Sequence, residues 1–250
     1  EDFDFFLYTK LMDTRELALS LLQDRSMDIS MRISICLALA HDLERRIRQG
    51  RLFDADALLM RYAGSRDDYR AIQERDGFFH RKLADYRITP VARYGIMKEM
   101  FGIFKDLEVL GQDWPDFASR ADRTLYGEGE TVYGEMRTAF LNGPAGKKLP
   151  LWREQLMVYF VFTYFCGAVY NNSPFRKMKM AAACTLLIEE LSLAVWQQNG
   201  RKLEFLDFVD VAHRFSREVE HSDINKGRLE DWMAKGKAFS LEHLLNAVNS

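Results

Sequence analysis

The sequence predicts an all-α protein, an irregular multi-helix bundle of about ten helices. Three observations carry that reading. Apolar residues recur at i, i+3, i+4 and i+7 along most of the chain. Helix start and stop residues punctuate it at short intervals. No segment shows the β-branched alternation of a strand, and only 5 of 250 residues are proline, which suits long helices.

The elements follow in order. Asp13 and Glu16 stand at capping-box spacing and are expected to open a helix through Gln23. Asp28 caps the next, whose Ile29, Ile33, Cys36, Leu37, Ala40 and Leu43 share a face, and Gly50 stops it. Asp54 opens a short helix ending near Gly64, and a long polar helix is expected from Asp67 to Arg87. Thr89-Pro90 is an N-cap followed by proline at the first helical position, starting a helix that runs to Leu110 or Gly111. Asp113 before Pro115 begins another, and Glu130 to Leu141 is a further one. The stretch Asn142 to Pro150, NGPAGKKLP, holds two glycines and two prolines and reads as a loop. It separates an N-terminal half, 1–142, from a C-terminal half, 149–250, either as two domains or within one continuous domain.

Leu151 to Tyr170 is apolar on every face and reads as a buried central helix. Its uncharged part, Leu156 to Tyr170, is shorter than the ~20 residues of a membrane span. Ser173-Pro174 caps a long helix to Gln198, closed by Asn199-Gly200. A helix from Leu203 to Ser222 and two short ones, near Arg228–Ala234 and Ser240–Val248, complete the chain.

Composition narrows the function classes. The formal net charge of −2 gives no general attraction to nucleic acid or an anionic membrane, so neither is expected as a partner. The 3 cysteines, Cys36, Cys166 and Cys184, are scattered within apolar helical patterns. They read as core thiols of a protein from a reducing compartment, and no metal ligand set is assigned. The chain opens at Glu1 without an initiator methionine or signal-like segment, so a trimmed or processed N-terminus is expected.

The helix 203–222 concentrates the titratable groups. Phe205, Phe208, Val209, Ala212, Phe215 and Val219 are expected to form its buried stripe. His213, Arg217 and Glu220 then lie on one flank, and Arg214, Glu218 and His221 on the other. Asp210 with His213, and Glu218 with His221, have the i, i+3 spacing of helical di-iron sites, but those sites draw such motifs from two different helices. Arg214 with Glu218 and Arg217 with Glu220 also read as ordinary pairs along a helix edge. Glu189 on the preceding helix reads as solvated. Glu190 lies between leucines, either reaching solvent at an edge or paired with Arg214 or Arg217. Arg176, Lys177 and Lys179 oppose the dipole at the start of that helix and mark an anion-binding spot or a plain solvated turn.

With these residues in view, the chain resembles the flagellin lysine-N-methylase family of bacteria. The similarity lies in LMVYFVFTYFCGAVYNN from Leu156, KMKMAAACTLLIEEL from Lys177 and FSREVEHSDINKGRLE from Phe215, with SREVEHSD the most specific piece. RELALSLLQDRSMDISMRISICLALAHDLE, from Arg15, is also similar, with LLQDR followed by a helix containing Arg32. The resemblance implies methyl transfer from S-adenosylmethionine to flagellin lysines in the bacterial cytoplasm. It also implies a cysteine-rich N-terminal segment holding an iron–sulfur cluster. These 250 residues contain no clustered cysteines, so a cluster would require a segment outside them. From the SREVEHSD match, Arg217, Glu218, Glu220 and His221 become candidate catalytic residues. Lysine methylation needs a neutral amine, for which Glu220 or His221 is a candidate base. Tyr159, Tyr164 and Tyr170 are candidates for an aromatic wall, and Arg176, Lys177, Tyr164 and Tyr170 form the candidate cofactor-binding set. The alternative is a non-catalytic helical module that docks flagellin or another protein.

Overall fold

The computed structural model describes the backbone of residues 3–64 and 69–250, with side chains from 73 onward in the second stretch. Among these residues there are twelve α-helices and no strand. They group into two compact units. One comprises residues 1–87, 153–182 and 249; the other comprises 88–152, 183–248 and 250.

The first unit contains α1 (Phe5–Leu22), α2 (Ile29–Arg48), α3 (Ala55–Ala63), α4 (Tyr69–Ala84) and parts of α8 (Pro144–Tyr164) and α9 (Pro174–Gln198). The helix α1 starts well before the expected Asp13, because Asp4 accepts the Leu7 N–H at 2.8 Å and supplies the cap. Asp28 caps α2 as the sequence indicates, accepting from Met31 N at 2.9 Å. The expected start of the polar helix at Asp67 lies outside the described residues. The helices α1 and α2 pack on each other, with Leu7, Leu11, Ala18 and Leu22 of α1 buried, and α2 is covered on several sides, since Ile33, Ile35, Leu37 and Leu43 are all buried.

A buried carboxylate ties α8 to α2 within this unit. Glu154 pairs with Arg25 at 2.7 Å and with Arg32 at 2.7 Å, and Arg32 also donates to the Leu22 carbonyl. The Arg25 hydrogen bond, opposed by burial and reinforced by Arg32, holds the Glu154 carboxyl below its ordinary value of 4.5. A depressed folded-state value means that the stabilisation is present above pH 4.5 and is lost as pH falls through the folded value. Glu154→Gln is therefore expected to flatten the acid side of the stability profile. A pH-titrated melting series checks this, and an unchanged acid limb contradicts it.

The stretch 142–150 is not the expected loop. The helix α7 (Glu130–Asn142) ends there and α8 begins at Pro144, with Pro150 inside it. Proline at the first helical position sacrifices no hydrogen bond. Gly146 allows the close approach: a Cβ on it would lie 2.2 Å from the Leu141 carbonyl oxygen. Nor is α8 uniformly buried or continuous to Tyr170. It gives way to a 3-10 turn over Phe165–Tyr170, and Leu151, Tyr159, Phe162 and Tyr170 are exposed. A helix apolar all round carries no periodic signal of which face is covered.

The second unit contains α5 (Pro90–Lys105), α6 (Trp114–Tyr126), α7, the remainders of α8 and α9, α10 (Phe205–Glu220), α11 (Asp223–Lys235) and α12 (Leu241–Val248). Thr89 caps α5 as expected, accepting from Ala92 N at 3.1 Å. Aromatic pairs fill the unit: Phe104 stacks on Phe215 at 4.7 Å, Trp152 stacks on Phe208 at 4.4 Å, and Phe140 meets Trp196 edge-on.

Both glutamates of α9 depart from expectation. Glu189 and Glu190 are buried, and their cations are Arg93 and Arg137, not Arg214 or Arg217. Arg93 reaches Glu190 at 3.0 Å, and Arg137 reaches Glu189 at 2.8 Å. The Tyr126 and Tyr133 hydroxyls donate to Glu190 at 3.2 and 2.9 Å. Arg93 also donates to the Ala247 carbonyl, and Arg137 to the Ser250 carbonyl at 2.8 Å, so the network anchors the end of α12. Burial opposes the charge on Arg93, but Tyr133, Glu189 and Glu190 outweigh it and raise its affinity for the proton.

Candidate functional site

The segment Arg214–Asp223 closes α10 and opens α11. The buried face of α10 is Phe208, Val211, Phe215, Glu218 and Val219. Phe205 and Val209, expected in the stripe, are exposed. The core-facing side is thus rotated from the expected one, which places Glu218 within the stripe rather than on its flank.

Glu218 is buried because it has backbone to bind. Its two carboxylate oxygens accept the N–H groups of Leu110 and Gly111 at 2.7 and 2.8 Å. Asn225 of α11 continues the attachment: its Oδ1 accepts Glu108 N at 2.8 Å, and its Nδ2 donates to the Glu108 and Glu218 carbonyls. Ser222 caps α11 and donates to the Glu108 carboxylate at 2.9 Å. These contacts explain why α5 stops at Lys105 rather than continuing to Leu110. Asp106 and Leu107 N–H still bond back to Ile103 and Phe104, but those of Glu108, Leu110 and Gly111 find acceptors on α10 and α11 instead of in a further helical turn. Gly111 suits the close approach, since a Cβ there would lie 2.1 Å from Arg217 Nη2 and 2.6 Å from Glu218 Oε1, and both side chains would have to shift.

Asp113 fixes the other end of this loop. Its carboxylate pairs with Arg217 at 2.7 Å and with Arg214, and Arg214 also pairs with Asp210 at 2.7 Å. The Arg217 hydrogen bond, partly opposed by burial, holds the Asp113 carboxyl below its usual range. In place of the expected pairs along the helix, Arg214 with Glu218 and Arg217 with Glu220, both arginines pair with Asp113, and Arg214 pairs along the helix with Asp210. Arg217 instead contacts its neighbour Glu218 at 3.3 Å.

The remaining candidates occupy the end of the helix. His221 is the C-cap residue of α10 and is exposed. Glu220 is half-buried, with one carboxylate oxygen turned inward. Its charge adds to burial in raising the pKa of the Cys184 thiol. Arg217, Glu218, Glu220 and His221 therefore share one helix end, with Arg217 and Glu218 engaged in holding the 106–113 loop and His221 open to solvent.

The other candidate set lies in the first unit. Tyr164 precedes the 3-10 turn, and Tyr170 ends it as an exposed residue. Arg176 and Lys177 are half-buried in the first turn of α9. The Lys177 stem passes over Gly167, whose added Cβ would sit 3.6 Å from Lys177 Cε, so Lys177 and the turn are brought together. Glu44 tempers the basic turn: it accepts Phe175 N at 3.1 Å and pairs with Arg48. Lys179 is buried over the Phe175 ring at 5.1 Å, and burial lowers its pKa. The arrangement offers cations and an exposed ring to a small anion-bearing ligand.

The cysteines present do not fit a cluster. Cys36 and Cys184 are buried in different units, and burial pushes the Cys36 thiol up to about 12. Among the described residues, no group of three or more His, Cys, Asp or Glu side chains has the geometry to hold a metal ion. Also among them, no helix is long and apolar enough to cross a membrane.

Residues 15–247 match the FliB lysine N-methylase C-terminal domain. The chain belongs to this family. The matched span of this FliB C-terminal domain includes every candidate residue above, together with the 106–113 loop and both of its attachment points. No curated protein and no solved structure matches the chain. Sequence reasoning missed Asp113, Ser222 and Asn225 as loop-holding residues of the domain. For Asp113 the available signal was the run of turn-forming residues at Gly111–Asp113 before Trp114-Pro115.

Proposed function

We propose that the chain carries protein-lysine N-methyltransferase activity toward flagellin in the bacterial cytoplasm, with S-adenosylmethionine as methyl donor. The observation that supports this reading is the match of residues 15–247 to a lysine N-methylase domain. The donor, when bound, supplies an electrophilic methyl group. The chain's own task is to present a lysine amine without its proton. His221 is the exposed proton acceptor at the end of α10, and Glu220 beside it is the second. Arg217 and Glu218 act as positioning residues through the loop that they hold. On the first unit, Arg176, Lys177, Tyr164 and Tyr170 form one candidate face for the donor, with cations suited to a carboxylate and rings suited to a sulfonium.

The test is Glu220→Ala with His221→Ala. General-base catalysis is worth about 100-fold or more, so methyl transfer to flagellin is expected to fall by at least that factor while the melting temperature holds. Undiminished transfer overturns the assignment of the base. A docking module is the second reading, favoured by the exposed rings Phe5, Phe6 and Phe162 of the first unit. It predicts flagellin binding without methyl transfer by the wild-type chain.

A further inference from the structure

The first unit contains a cavity of about 550 Å³ bounded by α2, α3 and α4, within the size range of small-molecule sites. Its floor is aromatic. Tyr62 and Phe79 are buried with ring centroids 5.9 Å apart, and Phe78 meets Phe79 edge-on at 5.4 Å. Phe78 and Met60 are 48% and 74% exposed, leaving a ring and a thioether available to a ligand.

The polar rim has a definite charge sense. Arg75 is consumed by the fold: it pairs with Asp76 at 2.8 Å and donates to the Tyr62 and Ala63 carbonyls. That leaves Asp42, Glu74 and Arg61, two carboxylates against one guanidinium. Asp42 Oδ2 accepts from the Tyr62 hydroxyl at 3.0 Å and from Arg61 at 3.3 Å. Its Oδ1 lies 3.6 Å from His41 Nδ1, beyond hydrogen-bond length, so among the described residues that contact leaves it acceptor capacity. Burial, assisted by Asp42, keeps the Tyr62 phenol protonated and donating, which fixes both groups.

A floor of rings under an acidic rim with one cation suits a flat heterocycle with hydroxyl donors and a zwitterionic, net-cationic tail. We propose that this cavity is the methyl-donor site of the domain and takes S-adenosylmethionine. The inference rests on the methyltransferase reading above and deepens it. The rings hold the adenine and the sulfonium, Asp42 accepts from the ribose hydroxyls, and Arg61 faces the methionyl carboxylate. This location competes with the Arg176 and Lys177 face, and the two are separable by experiment.

Calorimetric titration of the chain with S-adenosylmethionine distinguishes them, with Phe78→Ala and Glu74→Gln as cavity variants and Arg176→Ala and Tyr170→Ala as face variants. Phe78 and Glu74 are exposed, so the cavity variants retain the fold, and Asp42→Asn with a melting control is a third. The cavity predicts about tenfold weaker binding in its variants, equivalent to ~1.4 kcal/mol, and wild-type affinity in the face variants. Loss confined to the face variants overturns the cavity and leaves the methyltransferase reading standing. Silence of the wild-type chain overturns the donor reading itself.

Discussion

Arg93→Ala is expected to destabilise the second unit by about 3–5 kcal/mol, the cost of leaving a buried ion pair half-made. The guanidinium is wholly buried and reaches both glutamates of α9, at 3.0 Å to Glu190 and 3.4 Å to Glu189. Removing it takes a guanidinium from both carboxylates, leaves Glu190 without its ion pair, and frees the Ala247 carbonyl at the end of α12. Two further outcomes follow from this account. Adding Glu190→Gln to the Arg93 variant recovers part of the loss, because the uncompensated charge is gone. Hydrogen exchange in α12 accelerates in the single variant, because its anchor is lost. Denaturant unfolding of the single and double variants measures the first effect. A loss below about 1 kcal/mol, the size seen for exposed pairs, contradicts this account.

Glu218→Ala is expected to have the second-largest effect, about 2–5 kcal/mol. A buried N–H left without an acceptor costs about 1–3 kcal/mol; the Gly111 N–H is buried, that of Leu110 is part-buried and adds less, and the packing of the buried Glu218 side chain is lost with them. The readout is local as well as global. The amides of Leu110 and Gly111 lose protection against exchange, whereas that of Glu108, held by Asn225, retains most of its own. Glu218→Gln separates charge from shape, since one amide oxygen still accepts a single N–H. Equal protection of the Leu110 and Gly111 amides in wild type and Glu218→Ala would refute the loop-holding role. A proton-transfer role for Glu218 requires it to exchange these backbone donors for a substrate amine, which its complete burial opposes.

Part of this structure was legible in the residues alone. Asp28 and Thr89 cap helices where the sequence places caps, because a cap is a contact across three residues. The family resemblance read from SREVEHSD agrees with the match over residues 15–247. The errors have physical causes. Asp13 imitates a helix start through its capping-box spacing to Glu16, while Asp4 supplies the cap nine residues earlier. Gly146 and Pro150 read as breakers, yet both sit in α8, where the missing Cβ allows contact with Leu141. The buried face of α10 differs from the expected one because Phe205 and Val209 look like core residues and Glu218 does not.

The sequence by itself determined that the chain is helical, where most of its helices lie, and which family it resembles. Propensity, capping and amphipathic spacing act between neighbours along the chain, so they can be read there. Only the tertiary structure decided which charged side chains are buried and what they bind. Arg93 lies 97 residues from Glu190, and Gly111 lies 107 from Glu218. A buried carboxylate is tolerable only where donors arrive from other helices to replace its water. Nothing local to Glu190 or Glu218 announces those donors, so packing alone shows that one anchors α12 and the other holds a loop.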